Sequence, residues 1–285
     1  MKRTKIKIII VVILGLAIAA VLLFGMPQPA PVEEVVEEEP IVEPVEEPEI
    51  VIDPVWATNK EINEDYVLDI RFKSGLLNLP VVQARGDITD YTFYAFNGAA
   101  PVSNYNSGCE GGPCSLNDVY LRMDWVSGRY EVGGTCFLDY RNSFDDQNLI
   151  IYGHLYPRSM DPQRQLMFSG LDKLLKEENY EENKDVYINL GTEIRHYVVA
   201  YVYLFNTTND DYDNLQYYRT NYEFDYAGNP DPGYYQAYID NMEAAQPYDT
   251  GVELVPGDKT LTLQTCYDGD SNHVQITVCK DVTER

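Results

Sequence analysis

The sequence predicts a mainly β extracellular domain, a barrel or sandwich edged by a few helices, preceded by one membrane-spanning helix. Three observations carry that prediction. Seven short β-type runs between Leu79 and Val278 are mostly separated by turn residues. Two windows show helical spacing of apolar residues. A basic N-terminus runs into a long apolar stretch.

In chain order, residues 2–7 read Lys-Arg-Thr-Lys-Ile-Lys, and the next charge after Lys7 is Glu33. Ile8–Met26 is a nearly unbroken apolar run of 19 residues. As a helix it would span about 30 Å, the thickness of a hydrocarbon core. The basic flank keeps residues 1–7 in the cytoplasm and places the remainder outside. A cleaved signal peptide is the competing reading, but the run is long for one and no Ala-x-Ala site follows it. Residues 27–56 then form a linker. Pro27–Pro54 holds nine Glu, one Asp and seven Pro with no Lys or Arg, so it is expected to be an extended, self-repelling tether. Residues 57–285 remain for one domain. The net charge of −25 excludes a nucleic-acid binder, which needs a basic footprint.

Within the domain the expected strands are Leu79–Gln83, Thr135–Tyr140, Asn148–His154, Asp185–Leu190, Ile194–Leu204, Thr260–Cys266 and Val274–Val278. One expected helix covers Leu166–Glu178, with Phe168, Leu171, Leu174 and Leu175 on its apolar face. The other covers Gly233–Ala245 behind Asp231-Pro232, an N-cap and first-turn proline, with Tyr235, Tyr238, Ile239 and Met242 as its stripe. Residues 97–134 are rich in Gly, Asn and Ser and read as an insertion. In it, Cys109-Glu-Gly-Gly-Pro-Cys114 has the slack to close a disulfide, and the outside location permits one. A zinc site is the weaker alternative, since no further Cys or His lies nearby. There is no Walker loop, dinucleotide fingerprint or HExxH, so no cofactor is implied.

Of the five cysteines, Cys266 stands out. It closes the alternating run Thr260–Cys266 on the less apolar face, and the polar turn Tyr267–Asn272 follows. A thiol at a strand end beside a loop fits a nucleophile, and also fits a buried structural cysteine. Its candidate imidazole is His154, where Asn148-Leu-Ile-Ile-Tyr-Gly-His ends an apolar strand.

The run Thr260–Cys266 resembles the Thr-Leu-x-Thr-Cys signature of sortases. Phe137 to His154 resembles the stretch leading to the sortase histidine, and Leu79-Pro-Val-Val-Gln and Met167-Phe-Ser-Gly-Leu fit the class B form. The resemblance implies an eight-stranded β-barrel with peripheral helices and a membrane-tethered cysteine transpeptidase on a Gram-positive-type cell surface. By that likeness Cys266 attacks a carbonyl inside a sorting motif near the C-terminus of a surface or pilin protein. An amine, from a peptidoglycan precursor or a pilin lysine, resolves the thioacyl intermediate. The likeness also implies substrate contacts from Thr265 and Leu263 on the cysteine strand and from Tyr235 and Ile239 on the second helix.

In one place the pattern departs from the family, which carries an arginine at the start of the strand after the cysteine. Here that position reads Ser271-Asn-His-Val-Gln275. An antiparallel hairpin with Cys266 opposite His273 matches Gln264 to Gln275, Leu263 to Ile276, Thr262 to Thr277 and Leu261 to Val278, like with like. It puts Val274 in the core and Cys279 opposite Thr260. His273 is therefore the expected stand-in for the arginine, with Arg158 and Arg195 as other candidates. A weakened enzyme or a sortase-like binding module is the alternative outcome.

Overall fold

The structure is a computed structural model that describes residues 52–94, 109, 114–209, 211–225 and 228–284. Eight strands close into a barrel: β1 (Tyr66–Phe72), β2 (Asn78–Val82), β3 (Cys136–Leu138), β4 (Asn148–Tyr152), β5 (Asp185–Asn189), β6 (Ile194–Asn206), β7 (Thr260–Cys266) and β8 (His273–Asp281). Their order around the barrel is β1-β2-β3-β4-β7-β8-β6-β5. The β2/β3 and β4/β7 pairs are parallel and the others antiparallel. Closure leaves no sheet edge open to stray pairing. Among the described residues no helix is long and apolar enough to cross a membrane, and residues 8–26 lie outside them.

The domain begins earlier than the composition indicates. Helix α1 (Pro54–Ile62) starts inside the stretch read as linker. Asp53 caps it by accepting from the Val55 and Trp56 amides at 2.8 and 2.9 Å, and the Asp53 amide donates to the Gly191 carbonyl at 2.7 Å. The Trp56 indole donates to the Val67 carbonyl at 3.0 Å, which ties α1 to the barrel wall. Strand β1 has no counterpart among the expected strands. Asp69 and Arg71 interrupt its apolar pattern, and its register with β2 shifts between Tyr66 and Leu68. Such a shift breaks the period-2 signal that marks a strand.

Helix α2 (Pro232–Ala245) lies where the Asp-Pro signal puts it, with Asp231 accepting from the Gly233 amide at 3.0 Å. The other expected helix is instead a 3-10 helix, Met167–Leu175. Phe168, Leu171 and Leu174, all fully buried, recur every third residue and so line one face at three residues per turn.

Three apolar clusters hold the domain. One fills the barrel and includes Leu261, Leu263 and Cys279. A second lies outside β6 and β8, where Tyr235, Tyr238, Ile239 and Met242 of α2 cover Tyr203, Phe205, Ile276 and Val278. A third joins Tyr66, Val82 and Phe137 to Val119, Tyr120 and Met123 of the insertion. The Cys109–Cys114 disulfide is formed.

The second cluster corrects the hairpin register. Strands β7 and β8 pair with Cys266 opposite Val274, Thr265 opposite Gln275, Gln264 opposite Ile276, Leu263 opposite Thr277, Thr262 opposite Val278 and Leu261 opposite Cys279. The register is one residue away from the like-with-like match. That match assumes one buried face, whereas β8 is buried on both. Ile276 and Val278 point out under α2, so Gln275 and Thr277 turn into the barrel. There the Gln275 Nε2 donates to the Leu171 carbonyl at 2.7 Å. Val274 likewise packs against the α2 cluster instead of the barrel core.

A buried asparagine ties β4 to β7. Asn148, fully buried, accepts from the Thr260 and Thr262 hydroxyls at 2.9 and 2.8 Å. Its Nδ2 reaches the Tyr217 and Arg219 carbonyls at 3.0 and 2.8 Å. Asn148→Ala strands these buried groups and is expected to cost about 3 kcal/mol, lowering Tm by roughly 10 °C. Differential scanning calorimetry checks this, and a shift within about 2 °C would contradict it.

Candidate active site

Parallel pairing of β4 and β7 brings His154 to Cys266. Asn148 pairs with Thr260, and the register runs on to Tyr152 opposite Gln264. The Gly153 amide extends the ladder by donating to the Gln264 carbonyl at 3.1 Å. Two residues beyond that last pair stand Cys266, the last residue of β7, and His154, just past the end of β4. Asn148 bonds to both Thr260 and Thr262, so the even-numbered side chains of β4 and β7 share a face. Alternation carries that face to Cys266, and the chain runs from the end of β4 into His154. Gly153 is required for the approach: a Cβ there would lie 2.5 Å from the Phe168 ring.

Both side chains line a cleft of about 480 Å³ with mostly apolar walls, among them Leu121, Val132 and Met160. Cys266 is an exposed thiol, whereas Cys136 and Cys279 are buried thiols. Burial pushes the pKa values of Cys136 and Cys279 far up, which removes them as nucleophiles.

The insertion supplies a third residue of the cleft. Arg122, in the short turn Tyr120–Arg122, is buried and lines the cleft with Cys266 and His154. Its Nη1 lies 2.6 Å from His154 Nε2 and donates to the Val132 carbonyl at 2.7 Å. Gly134 seats this turn, with φ +54 and no room for a Cβ, which would fall 2.2 Å from the Tyr120 carbonyl oxygen. His154 Nε2 is also 2.8 Å from the Leu121 carbonyl. The two contacts make opposite demands on Nε2: a guanidinium only donates and needs its lone pair, whereas a carbonyl only accepts and needs its proton, so a neutral imidazole satisfies one of them at a time.

Burial, and then the neighbouring Arg122 charge, push the His154 pKa down from 6.5 to about 4. The imidazole is therefore neutral in the folded protein near pH 7. The unfolded chain binds this proton near pH 6.5 and the folded chain only near 4, so stability present above 6.5 is lost as the pH falls through that window. The loss is on the order of 3 kcal/mol when complete. Urea midpoints at pH 7 and pH 4.5 should fall more steeply for wild type than for His154→Gln. Equal slopes would contradict it.

Other sequence-expected site residues lie elsewhere. His273 starts β8 opposite Asn206 of β6, not opposite Cys266, and its Nδ1 is 3.1 Å from Asp270. Leu263, Thr265, Tyr235 and Ile239 are each at most 1 % exposed, inside the barrel or beneath α2, and present no surface to a peptide. Arg158 pairs with Asp172 and Asp268, and Arg195 with Glu193. His196 is bonded to Asp185 at 2.7 Å and stacked on Tyr187. Arg122 gives no signal in the sequence because the insertion carries no periodicity. The one local sign is the apolar island Val119-Tyr-Leu-Arg-Met123 in a polar stretch.

No family model matches the chain. Sortase B of Staphylococcus aureus is 24% identical over 220 residues, covering 76% of this chain and 70% of that protein. Among solved structures, Clostridium perfringens sortase B matches with a TM-score of 0.57 and 23% identity, over 80% of this chain and 99% of that one. A Staphylococcus aureus sortase B–substrate complex matches with a TM-score of 0.57 and 21% identity, over 82% and 87%. The structures share the barrel and the sequence match spans most of the domain. The chain is thus similar to class B sortases in fold and, over most of the domain, in sequence.

Proposed function

We propose that the chain is a membrane-anchored cysteine transpeptidase of the cell surface. Residues 8–26 would hold it in the membrane and the acidic linker would lift the barrel away. Its substrate is a surface or pilin protein with a C-terminal sorting motif, and its acceptor is the amine of a peptidoglycan precursor or a pilin lysine. The observation that carries this reading is an exposed thiol and a neutral imidazole lining one cleft at the ends of two adjacent parallel strands. A solved structure of the same fold is a substrate complex of sortase B, so this barrel type accommodates a substrate.

The chemistry follows from the groups present. Neutral His154 takes the proton of the Cys266 thiol as sulfur attacks the scissile carbonyl. Negative charge gathers on the carbonyl oxygen, and Arg122 is the cation of the cleft that stabilises it. Collapse breaks the C–N bond, His154 returns its proton to the leaving amine, and a thioacyl enzyme remains. The acceptor amine then attacks the thioester carbon, its proton passes to His154, the C–S bond breaks, and the thiolate regains a proton. Arg122 thus takes the role expected of an arginine on β8.

The test is product analysis with the full chain, a panel of sorting-motif peptides, and amine acceptors. Amine-dependent ligation products support the transpeptidase, and hydrolysis alone would reduce it to a protease. A binding module is the second reading, favoured by the engagement of His154 Nε2 with Arg122 and the Leu121 carbonyl. It requires peptide binding without any cleaved product.

A further inference from the structure

Beside the cleft, a buried ion-pair cluster joins the segments that follow His154 and Cys266. Arg164, in the loop between β4 and the 3-10 helix, has its side chain 3% exposed. Its Nε is 2.9 Å from Asp172 Oδ2 and its Nη2 is 2.7 Å from Asp268 Oδ2. Its Nη1 donates to the Tyr156 carbonyl. Tyr156 is two residues after His154, and Asp268 is two residues after Cys266. One guanidinium therefore grips both catalytic segments and the 3-10 helix between them.

The backbone at Arg164 is strained to make this grip. Its φ is +56, a left-handed conformation that side chains other than Gly and Asn rarely adopt. Asp161 holds the loop in that shape by accepting from the Gln165 and Leu166 amides at 3.0 and 2.9 Å. Strain of this kind persists where surrounding contacts over-determine it, and it clusters at functional sites. The ladder between β4 and β7 ends at Gly153, one residue short of His154. The residues from Gly269 to Asn272 at the tip of the β7/β8 turn are exposed. The Arg164 fork is a buried side-chain link across the gap.

We propose that Arg164 is a positioning residue, which fixes the reach between the His154 imidazole and the Cys266 thiol by clamping Tyr156 and Asp268. The proposal rests on the reading of those two as the reacting pair. A planar guanidinium suits the task because it engages three acceptors in fixed directions, which an ammonium does not. Arg158, 64% exposed, touches the same two carboxylates from outside and adds charge without the grip.

The test uses Asp268→Asn and Arg164→Asn in the full chain. Asp268 is part-exposed, and Asn tolerates positive φ, so both variants should fold. The first readout needs no substrate: the rate of Cys266 alkylation by iodoacetamide across pH 5–9, with and without His154→Gln. In wild type His154→Gln should change that profile. In either clamp variant it should have little further effect, because the imidazole no longer reaches the thiol. An equal effect of His154→Gln in all backgrounds would overturn the proposal. The second readout is turnover, where each variant should lose about 10–100-fold in kcat with KM within about two-fold, and the double variant should be no worse than the weaker single. A folded Asp268→Asn protein with wild-type kcat would also overturn it. If wild type turns over no peptide, the transpeptidase reading fails while the alkylation profiles still decide the clamp.

Discussion

Cys266→Ala is expected to abolish turnover of a sorting-motif peptide, a fall of at least about 10⁴-fold, with peptide affinity changed by less than about three-fold. The split follows from the role assigned to sulfur, which forms a bond in the transition state and contributes little to ground-state binding. Single-turnover cleavage and fluorescence binding measure the two parts. The buried thiols provide the control. Cys136→Ala and Cys279→Ala leave small cavities in the barrel and are expected to lower stability while retaining turnover. If Cys279→Ala were as inactive as Cys266→Ala at full folding, the nucleophile would be misassigned.

Arg122→Ala is the second large effect. Loss of one oxyanion donor costs about 10²–10³-fold in kcat. Arg122→Lys should recover part of it, since lysine keeps the charge but not the planar fork. The substitution acts on His154 as well. Without the neighbouring cation the imidazole pKa rises toward its ordinary value, so the acid limb of the pH–rate profile should move up. His273→Ala should leave kcat within about two-fold, because His273 contacts Asp270 and is not among the residues lining the cleft. The reverse pattern, an inert His273→Ala and an active Arg122→Ala, would return the cation's role to β8.

Local signals read well where one segment decides its own conformation. Thr260–Cys266 is a strand with the bounds its alternation predicts, and Asp231-Pro232 marks the start of α2. The eight-stranded barrel implied by the family likeness is present. What the sequence hid depends on partners distant in the chain. The like-with-like register fails because α2 gives Ile276 and Val278 a second apolar cover, and two strands alone do not reveal a third layer. The same cover explains why Tyr235 and Ile239 are packed inward and not turned to a substrate. The His154–Cys266 pairing runs through a parallel ladder between segments more than a hundred residues apart, and no turn chemistry announces such a ladder. Arg122 lies in a stretch without helical or strand period, so only the folded chain shows that it reaches the histidine.

The most direct measurement of the central claim is the intact mass of the full chain after incubation with a cleavable sorting-motif peptide and no amine acceptor. A thioacyl mechanism predicts a mass gain equal to the N-terminal peptide fragment, located on Cys266, absent in Cys266→Ala, and released when an amine is added. A chain that binds the peptide and alkylates at Cys266, yet never carries the acyl fragment at any pH between 5 and 9, would contradict the assignment of Cys266 as the transpeptidase nucleophile.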